Sequence, residues 1–320
     1  MTRVVFMGTP DFAVPSLRAL VTAGYQVVAV YTQPDRPAGR GQQLLAPPVK
    51  RVAQELGLPV FQPPSLRPAE EVERLAALAP EVIVVAAFGQ ILRPNVITIP
   101  PRGVLNVHAS LLPRWRGAAP VPAAILAGDS ETGVTIMQID PGLDTGPLLA
   151  QRAIPIAPDD TTGTLTAKLA VLGAQLLVET LPRWLAGEVV PCPQDESQAT
   201  LAPRIRVEDA NLDWTRPAEE IARAVRAYNP WPGARTWWRG KLLTILAAEP
   251  DPTLHGEPGE VLLVGRQELA IATGHGALRL REVQLEGRRP LPVAAFRAGQ
   301  RDLAGLRLPS PGQPDFPAQS

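Results

Sequence analysis

From Arg3 to about Gly187, short apolar runs alternate with amphipathic segments along the chain. Each apolar run has the length of a strand, and the segments between the runs repeat their apolar positions with helical spacing. The predicted strands are Arg3 to Met7, Gln26 to Tyr31, Val82 to Ala87, Val104 to His108 and Val134 to Ile139. Because strands that cross over through helices usually pair in parallel, the pattern predicts a Rossmann-like α/β domain with a parallel sheet.

Three helices are predicted between or after these strands: Ala13 to Ala23, Pro48 to Leu56 and Thr162 to Ala186. Gly24 and Gly57 follow the first two directly, at the position where a helix most readily ends in a left-handed residue. The third helix closes this half of the chain.

The regular pattern stops near Val189, where prolines and a polar stretch interrupt it, and we interpret residues 189–207 as an extended linker. One further helix is predicted over Ala218 to Ala227. Five short strand-like runs follow, separated by turn residues: Ala234 to Trp238, Leu242 to Ala247, Gly259 to Val264, Glu268 to Thr273 and Leu278 to Val283. This pattern indicates a small β-barrel of the oligonucleotide-binding type.

The predicted division is a catalytic domain over residues 1–188, the linker over 189–207, the barrel domain over 208–307 and a tail over 308–320. The tail is rich in Pro, Ser and Gln, so we expect it to be disordered.

The composition is that of a soluble protein. The 320 residues are 45% hydrophobic and 19% charged, which is sufficient to bury a core in each of two domains. The formal net charge is zero, so any nucleic-acid-binding surface must be local. Cys192 is the single cysteine, which excludes an internal disulfide framework and favours a reducing compartment. With no export signal and no apolar run of membrane-spanning length, we expect a cytoplasmic protein that does not enter a membrane.

The turn after the first strand argues against a nicotinamide enzyme. Gly8 stands where a dinucleotide fold would bind phosphate, but the further glycines of Gly-x-Gly-x-x-Gly are missing. Without them the backbone cannot approach a pyrophosphate closely. Gly8 is therefore interpreted either as a tight strand-to-helix turn or as a turn that lines a substrate pocket.

The residues that carry chemistry lie at and after the predicted strand Val104 to His108. Asn106 and His108 are two positions apart, so their side chains leave the same face of the strand. Asp144 follows the next predicted strand, in a Gly-rich loop. Taken singly, each polar residue could be a satisfied strand-end residue or a turn former. An amide, an imidazole and a carboxylate together, with no cysteine or metal-ligand cluster nearby, indicate acyl transfer without a covalent intermediate.

At this point the sequence resembles a known family, the folate-dependent formyltransferases, and within it those that act on methionyl-tRNA. The resemblance rests on five motifs spread over nearly the whole chain: Phe6 to Phe12, Gln33 to Gly41, Asn106 to Gly117, Gly133 to Met137 and Asn229 to Gly233. It implies transfer of the formyl group of 10-formyltetrahydrofolate, the co-substrate, to the α-amino group of initiator methionyl-tRNA. It implies no metal, and we expect a monomer.

The resemblance also implies roles for the three polar residues. Attack on the formyl carbon builds a negative oxygen, to which the Asn106 amide and a protonated His108 would donate. Asp144 would orient His108, keep it protonated and help to collect the proton that the attacking amine loses.

Two segments are implied as the folate site by the same resemblance. The residues are Ser110, Leu111, Leu112 and Pro113, together with Phe88, Gly89, Gln90, Ile91 and Leu92. A flat heteroaromatic ring suits an apolar slot with a few exposed backbone groups. Core packing is the alternative interpretation for the leucines and, more strongly, for Phe88.

The tRNA-binding residues are expected in three places. The long loop Thr32 to Pro47 carries Arg36 and Arg40, which the resemblance places at the acceptor end of the tRNA. Arg204 and Arg206 lie in the linker. The segment from Arg279 to Arg301 contains six arginines against two glutamates, and it is either a track for the RNA backbone or an ordinary solvated surface.

Other functions remain open on the sequence. A formyltransferase of the same fold could act on an amino-sugar nucleotide or on glycinamide ribonucleotide, although the latter should end near Gly187. A 10-formyltetrahydrofolate hydrolase would release formate without tRNA. An RNA-binding protein on an inactive transferase fold is disfavoured because the three polar residues are all present.

Overall fold

The computed structural model describes residues 1–38, 43–303 and 305–313 of the chain, and these form two compact units. The first unit comprises Met1–Pro120, Glu131–Pro155 and Leu165–Pro203. The second comprises Val121–Ser130, Ile156–Thr164 and the chain from Arg204 onwards. Two short segments that the predicted division assigned to the first domain therefore pack with the second unit.

The strands of the described chain are β1 (Arg3–Gly8), β2 (Gln26–Tyr31), β3 (Arg36–Ala38), β4 (Gln43–Leu45), β5 (Val60–Phe61), β6 (Val82–Ala86), β7 (Val104–His108), β8 (Arg116–Gly117), β9 (Glu131–Gln138), β10 (Leu148–Pro155), β11 (Leu201–Ala202), β12 (Arg235–Trp238), β13 (Lys241–Asp251), β14 (Val261–Val264), β15 (Glu268–Ala272), β16 (Ala277–Leu285) and β17 (Leu291–Pro292). The α-helices are α1 (Val14–Thr22), α2 (Pro48–Glu55), α3 (Ala69–Ala77), α4 (Pro94–Ile97), α5 (Pro120–Ala127), α6 (Thr162–Leu185), α7 (Ala218–Ala227) and α8 (Val293–Ala298).

The first unit is built on a seven-stranded sheet with the order β10-β9-β7-β6-β1-β2-β5. Strands β7, β6, β1, β2 and β5 pair in parallel, as the alternating pattern predicts. The predicted α/β domain with a parallel sheet is thus confirmed, and two antiparallel strands, which the pattern did not predict, extend the sheet at one edge. Strand β9 runs antiparallel to β7, and β10 runs antiparallel to β9. An antiparallel pair of this kind is tolerated at the edge of an otherwise parallel sheet because it needs no crossover helix.

The central strands are buried on both faces, and helix α6 covers the strand that carries the polar residues. On α6, Gly173 has no room for a side chain: a Cβ atom there would lie 2.7 Å from Val107 Cγ1. Helix α6 is also long and apolar enough to cross a membrane, contrary to the expectation that no run approaches that length, but more than half of its most apolar stretch is buried. It packs as a core helix.

Gly8 at the end of β1 is a tight strand-to-helix turn. A Cβ atom at this position would lie 2.7 Å from Ala13 Cβ and 3.0 Å from the carbonyl oxygen of Ala86. The close packing of β1, β6 and the following helix therefore requires glycine here.

The second unit is a curled antiparallel sheet with the strand order β12-β13-β16-β15-β14, and β17 pairs with β16. Its five predicted strands and helix α7 are confirmed. Two register irregularities between Ile245 and Ala248 let the long strand β13 bend. Trp214, Ile221 on α7, Leu243 and Phe296 on α8 belong to its buried core. No described strand pair links β12 to β14, so the predicted barrel is observed as a curled sheet.

Both predicted non-regular segments are more ordered than expected. Within residues 189–207, Cys192 exchanges two backbone hydrogen bonds with Leu148, and β11 pairs in parallel with β8. At the predicted tail, Leu308 is buried and Ser310 accepts a hydrogen bond from the backbone N–H of Trp214. Residues 314–320 of the predicted tail lie outside the described residues.

Candidate active site

The carboxyl ends of three parallel strands meet at one edge of the first sheet. Gly8 pairs with Ala86, and Val85 pairs with Asn106, so the ends of β1, β6 and β7 lie side by side. In open parallel sheets this edge forms the ligand crevice. The structure therefore places the turn at Gly8, the segment after β6 and the polar residues of β7 at the position where a site is expected.

Asn106 is half-buried on β7, and its side chain has no hydrogen-bond partner within the described chain. Both N–H groups of its amide are thus available for a ligand. His108, two positions further along the strand, is only 6% exposed. Because the Asn106 side chain makes no hydrogen bond within the described chain, it contributes none to the stability of the fold, and its position beside the buried imidazole of His108 favours a role in ligand binding.

Both ring nitrogens of His108 face an acceptor. Nε2 lies 3.0 Å from the carbonyl oxygen of Trp115, to which it donates when it carries a proton. Nδ1 lies 3.7 Å from Asp144 Oδ2. The predicted donation from His108 to a substrate oxygen therefore competes with the Trp115 carbonyl, and this role stays a prediction.

Asp144 reaches His108 by a route that the strand pattern does not predict. Because β9 is antiparallel, its carboxyl end lies beside the amino end of β7, where Ile139 N–H bonds to the Val104 carbonyl. Residues 140–147 then return toward His108. Asp144 has a left-handed backbone with φ +51°, and its Oδ2 accepts the backbone N–H of Gly117 at 2.9 Å. The return loop, and not the direction of the preceding strand, brings the pair together.

The first predicted folate segment is held rigidly by its own hydrogen bonds. Ser110 is buried, and its hydroxyl donates to the carbonyl of Arg114 at 2.6 Å. The backbone N–H of Leu112 donates to Thr135 Oγ1, and Thr135 Oγ1 donates to the Ser110 carbonyl at 2.7 Å. Gln151 Nε2 closes the cluster by donating to the Leu112 carbonyl at 2.8 Å.

The leucines of this segment serve packing as well. Leu112 is buried, and Leu111 lies so close to Gly133 on β9 that a Cβ atom there would be 2.6 Å from Leu111 Cδ2. Pro113 is half-buried at a cis peptide bond. The alternative interpretation as core therefore applies to both leucines, and the ligand-facing groups of this segment remain a prediction.

The second predicted folate segment follows β6 and mixes buried anchors with exposed positions. Phe88 and Leu92 are buried, whereas Gly89 is exposed and Ile91 is 88% exposed. Gln90 is held by the Leu66 N–H and the Pro63 carbonyl.

The Phe88 carbonyl is a shared acceptor at this edge. It accepts from Thr9 Oγ1 at 2.9 Å and from Gln33 Nε2 at 3.3 Å. The turn after β1 is thereby fixed to the segment after β6, beside an exposed apolar side chain.

A segment that sequence reasoning placed in the linker contributes directly to the site. In residues 192–202, Gln194 Nε2 donates to the carbonyls of Asp144 and Gly146 at 2.8 and 2.7 Å. Thr200 Oγ1 accepts the backbone N–H of Trp115 at 2.9 Å. The segment lies far from the polar residues in sequence and has no strand or helix periodicity, so the only signal for it was its polar composition.

Arg116 joins this segment to the loop after β7. It is 5% exposed, donates to Gln194 Oε1, and makes a bidentate pair with Glu196 at 2.7 and 2.8 Å. The hydrogen bond from Arg116 lowers the pKa of Glu196, and the carboxylate raises the pKa of Arg116. Among the described residues no three His, Cys, Asp or Glu side chains are grouped so that they could hold a metal ion.

Two family models match the chain. One described as "Formyl transferase" covers residues 2–181, and "Formyl transferase, C-terminal domain" covers residues 204–301. The chain belongs to the formyl transferase family. Both matches follow the two-domain pattern of the chain, which disfavours family members that lack the second domain.

Relatives from Geobacter sulfurreducens and Chloroflexus aggregans, both named methionyl-tRNA formyltransferase, are similar over almost the whole chain. The first is 49% identical over 311 residues, covering 97% of this chain and 98% of the relative. The second is 53% identical over 301 residues, covering 93% and 97%. An N-formyltransferase from Helicobacter canadensis, solved with folinic acid and dTDP-3-aminofucose, shares the fold with a TM-score of 0.67 at 20% identity, over 88% of this chain and 99% of that one.

Of the predicted tRNA-binding arginines, the three that the structure describes are exposed. The side chains of Arg204 and Arg206 have no acidic partner within the described residues. Arg36 is exposed on β3 and contacts Gln33 Oε1 at 3.4 Å. Arg40 lies outside the described residues.

Two of the six arginines in the arginine-rich segment of the second unit are neutralised by carboxylates of the same unit. Arg279 pairs with Asp251 at 2.5 Å and with Glu268 at 2.6 Å, and Arg281 pairs with Glu249. Arg297 donates instead to backbone carbonyls, including that of Glu268 at 2.8 Å. The excess of arginine in the sequence therefore overstates the positive charge that this sheet presents.

Arg288 and Arg289 differ from these. Neither side chain has an acidic partner among the described residues, and both line an open depression of about 650 Å³ above Phe296. Two of the four described arginines of this segment that lack an acidic partner thus lie beside one depression.

Proposed function

We propose that this chain transfers the formyl group of 10-formyltetrahydrofolate to the α-amino group of initiator methionyl-tRNA, giving N-formylmethionyl-tRNA for translation initiation. The observation that carries the reaction class is the meeting of His108 and Asp144 beside the unpartnered amide of Asn106. The choice of acceptor rests on sequence identities of 49% and 53%, over both domains, with relatives named methionyl-tRNA formyltransferase.

The attacking group needs little activation. An α-amino group has an unperturbed pKa of about 8, so a useful neutral fraction exists at physiological pH. The bound folate supplies the formyl carbon. As the amine attacks, the formyl oxygen becomes negative, and Asn106 Nδ2 is the directed donor that stabilises it.

His108 and Asp144 act on charge and protons. The protonated ring donates to the Trp115 carbonyl and faces the Asp144 carboxylate, so it holds a positive charge close to the developing oxyanion. One oxygen of the Asp144 carboxylate accepts a hydrogen bond from Gly117 N–H. The remaining lone pairs of the carboxylate can accept the proton that the amine releases. The N10 nitrogen of the donor leaves after it gains a proton.

No covalent intermediate is required. The hydroxyl of Ser110 is buried and donates to the Arg114 carbonyl, so it is not poised as a nucleophile. Direct attack by the amine on the formyl carbon is consistent with this arrangement.

The folate ring is held, in this proposal, by Phe88, Gly89, Gln90, Ile91 and Leu92 and by Ser110, Leu111, Leu112 and Pro113. The exposed apolar side chain of Ile91 beside rigid backbone groups suits a flat heteroaromatic ring. Buried Phe88 and Leu92 then anchor the segment and do not contact the ring through their side chains.

In this proposal the tRNA is bound by four arginines. Arg36 and Arg40, both in the loop Thr32 to Pro47, bind its acceptor end, and Arg204 and Arg206 at the start of the second unit bind its backbone. Guanidinium groups pair with phosphates and stack on exposed bases. We place the reaction in the cytoplasm and propose that the enzyme acts as a monomer.

The test is transfer of a labelled formyl group from 10-formyltetrahydrofolate to initiator and to elongator methionyl-tRNA, with wild type and Arg40→Ala in parallel. We expect rapid transfer to the initiator alone, reduced by the substitution. Formate release without tRNA would show a hydrolase, and formylation of an amino-sugar nucleotide would show another acceptor. Either result would overturn the proposed acceptor while leaving the family assignment intact.

A further inference from the structure

Gln194 is the one described side chain that bonds both to the backbone around Asp144 and to the buried Arg116. Its Nε2 donates to the carbonyls of Asp144 and Gly146. Its Oε1 accepts from Arg116 Nε at 3.0 Å and Nη2 at 2.8 Å. The amide therefore uses both donors and its acceptor at once, which fixes its orientation.

The backbone that Gln194 holds has internal support, because Asp140 Oδ1 accepts from Gly142 N–H and Thr145 Oγ1, but those bonds leave the carbonyls of Asp144 and Gly146 to Gln194. Asp144 is a non-glycine residue at φ +51°, a conformation that persists only where the surroundings determine it. Two residues on, Gly146 passes so close to the Gln138 carbonyl that a Cβ atom would lie 1.8 Å from that oxygen. A loop this tightly drawn against the sheet has carbonyls that need a donor, and Gln194 supplies it.

Arg116, which holds Gln194, is next in sequence to Gly117, whose N–H holds the carboxylate of Asp144. Arg116 is buried and fixed by Glu196, and the next residue, Gly117, donates its N–H to Asp144 Oδ2. Gly117 has φ +121°, and a Cβ atom there would lie 2.7 Å from the Ala202 carbonyl. The main chain and the carboxylate of Asp144 are thus held from the same short stretch, β8 with residues 194–202.

We propose that Gln194 is a positioning residue for formyl transfer: it sets the conformation of Asp144 and, through it, the carboxylate that faces His108. This inference rests on the proposed function of Asp144. Gln194 touches no reacting atom, and its effect is on turnover and not on substrate binding.

Gln194→Glu isolates this role. The substitution keeps the size of the side chain and keeps an oxygen for Arg116, so residues 192–202 stay docked. It replaces the Nε2 donor by an oxygen that faces two carbonyls, so the main chain at Asp144 and Gly146 loses this support while the bond from Gly117 N–H to the carboxylate remains. We expect kcat to fall by between about 10- and 100-fold, as for a small misplacement of a catalytic group, with KM for both substrates unchanged.

Gln198→Glu is the matched control. Gln198 lies in the same segment, is exposed and bonds only to Asp195. We expect wild-type turnover from it. Thermal unfolding of each variant reports whether the fold is kept, and Gln194→Ala, which removes the amide without adding charge, is the second variant should Gln194→Glu unfold.

The decisive measurement is the same substitution in an Asp144→Ala background. If Gln194 acts through Asp144, the loss caused by Gln194→Glu disappears there, because the two effects are not additive. An equal fold-loss in both backgrounds, or wild-type turnover in folded Gln194→Glu, would overturn the positioning role. Wild-type turnover in Asp144→Ala alone would instead overturn the proposed catalytic role of Asp144.

Discussion

The polar residues of the first unit and the arginines of the second sheet differ in the partners that the fold gives them. The side chain of Asn106 has no partner among the described residues, and His108 and Asp144 contact backbone groups and each other. Arg279 and Arg281, by contrast, are paired with nearby carboxylates. A few polar residues in the first unit are therefore more informative about function than a dense run of arginine in the second.

The difference teaches that the partners of a residue, and not its frequency, mark a site. The half-buried amide of Asn106, which has no partner within the described residues, keeps its donors and its acceptor for a ligand. An exposed arginine next to a carboxylate in the same sheet has no such deficit. The comparison leads to three predictions, which run from a loss of chemistry to a modest change in stability.

Asn106→Ala has the largest expected effect. Because the amide has no partner within the part of the chain that the structure describes, its removal should leave the fold unchanged but take away one oxyanion donor. We expect single-turnover formyl transfer to slow by about 100- to 1,000-fold, or roughly 3 to 4 kcal/mol. The control is Asn95→Ala, an exposed amide on α4. Turnover within a few-fold of wild type would show that Asn106 has a structural and not a catalytic role.

The double substitution of Arg288 and Arg289 by alanine should weaken tRNA binding. These two guanidinium groups are free to contact phosphate, so we expect the slope of log Kd against log salt to fall by about 1 for each lost contact. The matched variant replaces Arg279 and Arg281, whose charges are already neutralised, and should leave the salt slope unchanged. A fall in slope for the second pair and not the first would reverse the comparison.

Asp251→Asn has the smallest expected effect and tests the neutralised side of the comparison. Hydrogen bonds from the side chain and backbone of Thr253, and then the Arg279 contact, lower the pKa of Asp251 to about 2. Since this value lies below that of the unfolded chain, the carboxylate stabilises the fold above about pH 4, and that contribution is lost as pH falls through 2. Unfolding by denaturant from pH 7 to pH 2 should show the variant less stable at pH 7 and equal to wild type near pH 2.

Asp213→Asn is the control, because Asp213 accepts the same hydrogen bonds from the N–H and hydroxyl of Thr215 but has no arginine partner among the described residues. A gap that stays constant with pH would contradict the assignment.

Much of the fold followed from local pattern. Strands β2 and β7 and helix α7 match their predicted bounds, and most other predicted elements differ by a few residues at their ends. Apolar periodicity is sufficient to predict such elements because the spacing of apolar residues within one segment already distinguishes a helix from a strand. The direction of β9 was not predictable in this way, since apolar runs look alike in parallel and antiparallel strands.

The candidate site was predicted in its residues but not in its supports. Asn106 and His108 share a strand face, so spacing alone placed them together. Sequence reasoning missed the supporting roles of Trp115, Gly117 and Gln194. Trp115 and Gly117 act through backbone groups, and Gln194 acts from a segment that is distant in sequence. A contact of either kind leaves no periodic pattern in the sequence.

The sequence by itself determined the α/β class and the two-domain order and predicted the trio of Asn106, His108 and Asp144, because apolar spacing and short motifs are local properties of the chain. Only the tertiary structure decided that the supposed linker supports the main chain of Asp144, that β9 runs antiparallel and that Arg279 and Arg281 of the second sheet are already paired. Those features depend on contacts between residues far apart in sequence, and such contacts exist only after the chain has folded.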